Sequence, residues 1–154
     1  MKQIGDQCPA FELPDQNGNI ISSKDLIGKK ILVIYFYPKD HTPGCTKEAC
    51  SFRDNHDQFI EEGCEVIGIS SDNPNTHLRF ADKHSLGFML LSDSYQKVRK
   101  AFEVRPSLFG LIPGRVTYVI DLEGKIAGIY DSQSDPHGHV SQSLATVRSL
   151  KERS

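Results

Sequence analysis

Apolar residues fall along this chain in uninterrupted runs, separated by stretches in which they recur at helical spacing. ILVIYFY, from Ile31 to Tyr37, has no polar position except its tyrosine hydroxyls, the pattern of a central strand buried on both faces. EVIGIS (Glu65 to Ser70) and FMLLSD (Phe88 to Asp93) predict two more strands. Between them the period changes. From Thr42 to Ile60, Ala49, Phe52, His56, Phe59 and Ile60 predict one helix, which Gly63 can end. Asp72, Asn73 and Pro74 open another that runs through Leu78, Phe80 and Ala81. Ser94 to Phe102 reads as a short helix capped by Ser94. RVTYVID and GKIAGIYD are strands joined by LEG, a hairpin signal. A last helix, from about His139 to Lys151, puts Val140, Leu144, Val147 and Leu150 on one face.

Strands alternating with helices, then a hairpin and a closing helix, predict an α/β layer sandwich: a mixed central sheet flanked by helices, in the order of a thioredoxin-like fold. The first thirty residues form an N-terminal extension, with DQNGN as a turn and SSKDLIG as a small helix. EVRPSLFGLIPG, rich in proline and glycine, predicts an irregular loop. No repeat or low-complexity linker divides the chain, so residues 1–154 are expected to form a single domain large enough to bury a core.

Charge and composition then exclude partners. A net charge of -2 without a long Lys or Arg run argues against nucleic acid, and no apolar window is long enough to cross a bilayer. MKQIGDQCPAFELPDQ carries no apolar core behind its lysine, so no secretory signal is expected. Four cysteines are too few for a disulfide scaffold. The expectation is a cytoplasmic, reducing setting, in which thiols that are not simply buried tend to be catalytic, redox-sensing or metal-bound.

Two of the four, Cys45 and Cys50, lie just after the first strand, in YFYPKDHTPGCTKEACSFRD. Cys45 follows Pro43 and Gly44 and so falls at a helix start, where free N–H groups and the helix dipole favour negative charge on a thiolate nucleophile. Thr42 can offer a hydroxyl to the sulfur or to an incoming oxygen, Pro38 shields the loop, and Arg115 brings a permanent cation if it turns inward. Such an electropositive hollow suits attack on a small neutral electrophile whose leaving group becomes an anion, as in cleaving an O–O bond. On an intact helix the Cα atoms of Cys45 and Cys50 lie roughly 8.5 Å apart, beyond the roughly 7 Å limit for a disulfide. Bonding them requires the first turns to unwind, which suits a sulfenic acid on Cys45 that later condenses with Cys50 better than it suits a structural staple.

Other readings compete. Cys45 could be a small buried hydrophobe. His41, Cys45, Cys50 and His56 could be zinc ligands, but one loop and one straight helix would not bring them together. A thioredoxin-like disulfide oxidoreductase or redox-sensing module would want Cys-x-x-Cys, whereas four residues separate these cysteines. Glu48, one turn after Cys45, could orient the arginine or the loop, but exposed helix glutamates are commonplace and it is left out of the candidate set. Cys64 reads as packing, Cys8 as an idle or regulatory thiol, and His77, His84, His137 and His139 as surface residues.

PKDHTPGC fits the Pro-x-x-x-Thr-x-x-Cys signature of peroxiredoxins, and the longer stretch from Tyr35 to Asp54 resembles the peroxiredoxin Q group, also called bacterioferritin comigratory protein. IGDQCPAFELPDQNGN, EVIGISSDNPNTHLRFADKHSL and the arginine-bearing RVTYVID extend the likeness over most of the chain. The loop before Arg115 departs from it in lacking a tryptophan often found there. The resemblance implies a thioredoxin-like fold and a thiol-dependent peroxidase for hydrogen peroxide and organic hydroperoxides, without metal or other cofactor. It also implies Cys45 as the peroxidatic cysteine, Pro38, Thr42 and Arg115 as its pocket, Cys50 as the resolving cysteine and thioredoxin as reductant. A monomer is expected.

Overall fold

A computed structural model of the chain describes residues 2–106 and 114–153. Five strands form the central sheet: β3 (Ile31–Phe36), β4 (Cys64–Ser70), β5 (Met89–Ser92), β6 (Val116–Ile120) and β7 (Ile126–Asp131). Their spatial order is β5-β4-β3-β6-β7. β3, β4 and β5 run parallel, and β6 is antiparallel to both β3 and β7. A separate hairpin of β1 (Glu12–Pro14) and β2 (Ile20–Ser22), followed by a 3-10 turn at Ser23–Asp25, makes the N-terminal extension. The expected mixed sheet flanked by helices is present.

β3 sits at the centre, which explains its unbroken apolar run. Its side chains alternate between two cores, as the pleat requires. Val33, Tyr35 and Tyr37 join Phe52, Phe59 and Phe80 on one face, with Val140, Leu144 and Val147 of the last helix. Leu32, Ile34 and Phe36 meet Ile67, Ile69, Val98 and Phe102 on the other. The C-terminal end of β3 therefore opens between two filled layers, and the polar loop from Pro38 leaves from there.

Three helices depart from expectation in instructive ways. The helix foreseen from Thr42 to Ile60 is two: α1 (Pro43–Asp54) and α2 (His56–Glu61), broken at Asn55, whose backbone leaves helical space at φ −107, ψ 7. Asn55 also turns its amide onto the Ser51 carbonyl, the local competition that makes asparagine a poor interior helix residue. After α3 (Pro74–His84), capped by Asn73 as foreseen, α4 spans only Lys97–Ala101. Its free N–H groups at Val98 and Arg99 are met by the Asp93 carboxylate rather than by Ser94. α5 (Pro136–Arg153) begins a turn earlier than expected and packs against α1, β6 and β7. The loop foreseen from 103 to 114 lies, between 107 and 113, outside the described residues.

Candidate active site

α1 begins at the mouth of the sheet. Thr42 is its N-cap in extended conformation and Pro43 its first residue, the position where a missing N–H does no harm. The first intrahelical bond runs from Thr46 N–H to the Thr42 carbonyl at 2.9 Å, so the helix itself leaves the N–H groups of Gly44 and Cys45 unspent. Cys45 is 1% exposed. Its Sγ accepts a hydrogen bond from Arg115 Nη2 at 3.3 Å. Arg115, the residue before β6, is thus turned inward. Gly44 makes room for it, because a Cβ there would lie 3.0 Å from Nη2. Pro38 is half-buried where the loop starts. Thr42 differs from expectation: its hydroxyl donates to the Lys39 carbonyl at 2.8 Å instead of to the sulfur, leaving its oxygen only as an acceptor.

Glu48, left out of the candidate set as a commonplace exposed glutamate, takes the alternative role of holding the arginine. It is fully buried, and Arg115 Nη1 donates to its Oε1 at 2.7 Å. Burial pushes its carboxyl up from 4.5 to about 7, against the charge and hydrogen bond of Arg115. For Arg115, burial works against the cation, but Glu48 and then Cys45 outweigh it and hold the guanidinium above its ordinary value. The signal for Glu48 was present in the spacing: residues three apart share a helix face, so a buried Cys45 draws Glu48 inward with it.

His139, foreseen on the surface, is buried behind Glu48. Its Nε2 donates to the Ser132 carbonyl at 2.7 Å, while Nδ1 meets the Thr117 hydroxyl at 2.8 Å. Burial pulls its titration down, which fits a neutral ring accepting from Thr117. Glu48 Oε2 lies 3.6 Å from that Nδ1 and has no hydrogen bond. Two nearby acceptors with no proton between them disfavour the ionised carboxylate.

This yields a pH prediction. The folded protein holds the Glu48 proton more tightly than the unfolded chain, so its contribution to stability is full below about pH 4.5 and is lost as pH rises to about 7. Replacing Glu48 by Gln removes the titration. Between pH 5 and 7.5, urea unfolding should show the wild type losing about 2 kcal/mol relative to Glu48→Gln. Parallel pH profiles for the two proteins would contradict the assignment.

The loop carrying Pro38 and Thr42 is anchored from below. Asp40 Oδ2 lies 2.6 Å from His77 Nδ1, and Tyr37 donates its hydroxyl to Asp40 Oδ1 at 2.5 Å. His77 Nε2 meets the Leu91 carbonyl at 3.1 Å. Both side chains of the Asp40–His77 pair are fully buried, so His77 is also not the surface residue foreseen. Asp72 completes the cluster by accepting the Asp40 N–H at 2.8 Å and the Ser70 hydroxyl at 2.7 Å. These groups satisfy one another and tie the loop to α3 and β5.

The remaining thiols divide cleanly. Cys50 lies on α1, half-buried and free, outside both core clusters. Cys8 and Cys64 are buried in the two cores, where burial pushes Cys8 up to about 12 and Cys64 up as well. Each donates to a neighbouring carbonyl and lacks the arginine contact that Cys45 has, the setting of a packing thiol. His41 and His56, weighed earlier as zinc ligands, instead set their rings against Phe80 and Phe88.

The AhpC/TSA family model matches residues 4–129 of the chain. The protein named chloroplastic peroxiredoxin Q from Populus jackii is 47% identical over 146 residues, covering 95% of this chain and 68% of that protein. Its namesake from Sedum lineare is 47% identical over 147 residues, covering 96% and 78%. Among solved structures, peroxidoxin BcpB from Mycobacterium tuberculosis superimposes with a TM-score of 0.90 at 36% identity, covering 97% of this chain and 99% of that one. Bacterioferritin comigratory protein from Xanthomonas campestris, whose structure was described for its alkyl peroxide reduction activity, gives 0.83 at 28% identity, with 92% of each chain covered. The plant relatives overturn the cytoplasmic expectation, since their names place those proteins in the chloroplast.

Proposed function

Because the chain belongs to the AhpC/TSA family, as a peroxiredoxin of the Q group and hence a thiol-dependent peroxidase, we propose that Cys45 is its peroxidatic cysteine. The observation that carries this reading is the 3.3 Å contact between Cys45 Sγ and Arg115 at the free N-terminus of α1. Hydrogen peroxide and organic hydroperoxides are the substrates, and residues 1–154 act as one domain and as a monomer, with no metal or other cofactor in the cycle.

The Cys45 thiolate attacks the terminal oxygen of the hydroperoxide. The S–O bond forms as the O–O bond breaks, giving a sulfenic acid and an alkoxide or hydroxide that takes a proton from solvent. Charge moves from sulfur to the departing oxygen, and Arg115, with the N–H groups of Gly44 and Cys45, faces that charge throughout. Glu48 holds Arg115 in place from the far side. Thr42, with its proton committed to Lys39, accepts the hydrogen of an incoming peroxide and so orients it. Pro38 closes the hollow against water.

Cys50 is the resolving cysteine. α1 is continuous through both cysteines, so its first turns unwind before the two sulfurs meet. The Cys50 thiol then displaces water from the sulfenic acid, and thioredoxin reduces the resulting disulfide by exchange. Cys50→Ser should leave the first oxidation of Cys45 within about twofold of wild type while lowering thioredoxin-driven steady turnover at least ~10-fold. Unchanged turnover would remove Cys50 from the cycle.

A further inference from the structure

Arg99 is a second buried arginine that the peroxide chemistry above leaves unused. It lies on α4, 6% exposed, beside Val98 and Phe102 in the core. Its donors go to main-chain carbonyls instead of a carboxylate: Nη1 to Gly114 at 2.7 Å and Nη2 to Tyr37 at 2.8 Å. Its guanidinium carbon stands 5.6 Å from the centre of the Phe36 ring. Burial pulls it down to about 10, partly opposed by the charges of Asp93 and Cys45, so it remains a cation at neutral pH.

The two carbonyls belong to informative residues. Tyr37 is the last residue before Pro38, where the Cys45 loop begins, and Gly114 immediately precedes Arg115. Gly114 is packed so closely that a Cβ there would collide with the Arg105 carbonyl, so the position takes only glycine. A guanidinium presents parallel N–H groups in a rigid fork, which suits it to hold two acceptors at a fixed separation. A misplacement of about 1 Å at a reacting group is worth up to ~100-fold in rate.

We infer that Arg99 is a positioning residue of the peroxidase site: by gripping the carbonyls of Tyr37 and Gly114 in one fork, it sets the distance between the Cys45 loop and Arg115. The inference rests on the roles proposed above for Cys45 and Arg115. Arg99 touches neither the sulfur nor the substrate. It acts through the stems of the two segments that do.

The test is a double-mutant cycle on the rate of Cys45 oxidation by hydrogen peroxide, followed by rapid quench and thiol alkylation, for wild type, Arg99→Lys, Arg115→Ala and the double variant. Lysine keeps the charge but not the fork. Arg99→Lys should slow oxidation about 10-fold in the wild-type background and by less than about twofold once Arg115 is gone, because its positioned partner is then absent. An Arg99→Lys rate within about twofold of wild type, or the same loss in both backgrounds, overturns the positioning role and leaves Arg115 where it was. An Arg115→Ala rate equal to wild type overturns the assignment of Arg115 itself, and the clamp with it. Circular dichroism checks each fold; should Arg99→Lys not fold, Arg99→Gln, which keeps one donor group without the charge, takes its place in the same cycle and is judged by the same outcomes.

Discussion

Cys45→Ser is expected to leave peroxide consumption at the level of a protein-free control, a loss of at least ~1,000-fold or about 4 kcal/mol of barrier. A serine hydroxyl fits the space of the thiol and preserves a partner for Arg115, so the fold and the ion pair with Glu48 should survive. What disappears is the nucleophile: at neutral pH the hydroxyl stays protonated, and it has no general base beside it. The 2.7 Å ion pair of Arg115 with Glu48 remains to be seen by a stability close to wild type. Consumption within about tenfold of wild type would show that another thiol does the chemistry. That outcome is incompatible with the account, because the Cys8 and Cys64 thiols donate to neighbouring carbonyls, burial pushes both up, and neither has the Arg115 contact of Cys45.

His77→Leu should have the largest effect on stability, about 3–5 kcal/mol. Leucine matches the imidazole roughly in volume but leaves the Asp40 carboxylate buried, with the Tyr37 hydroxyl as its remaining side-chain donor. Stranding one member of a buried pair is far more damaging than replacing both. Adding Asp40→Asn to His77→Leu should therefore restore part of the loss. For a chain of this length the single variant should melt roughly 10 °C lower, and its Cys45 should oxidise more slowly, because Asp40 ties down the loop between Pro38 and Thr42. A change under about 1 kcal/mol in urea unfolding would show that the pair does not anchor the loop.

How far the sequence reveals such features depends on whether their causes are local. The β3 run, the Asn73 cap and the placement of Cys45 at a helix start follow from neighbouring residues, and all three are as foreseen. Glu48 was readable from its spacing to Cys45. The break at Asn55 was hidden because apolar residues keep helical spacing across it. His77 and His139 have histidine's usual surface-like surroundings in sequence, and their burial depends on partners 37 and 22 residues away. Arg99 is the extreme case: in VRKAF nothing separates it from Lys100, and its two acceptors lie 62 and 15 residues away.

The central claim is that one peroxide equivalent drives Cys45 and Cys50 into the same disulfide through a sulfenic acid. The direct measurement is intact and peptide mass analysis of the reduced protein, treated with one equivalent of hydrogen peroxide and blocked at once with an alkylating agent. The account predicts the loss of two hydrogens, mapped to a Cys45–Cys50 linkage, with Cys8 and Cys64 still alkylatable after unfolding. Cys45 carrying an added oxygen beside a free Cys50 would contradict the intrachain cycle, and two unchanged thiols would contradict the assignment of Cys45.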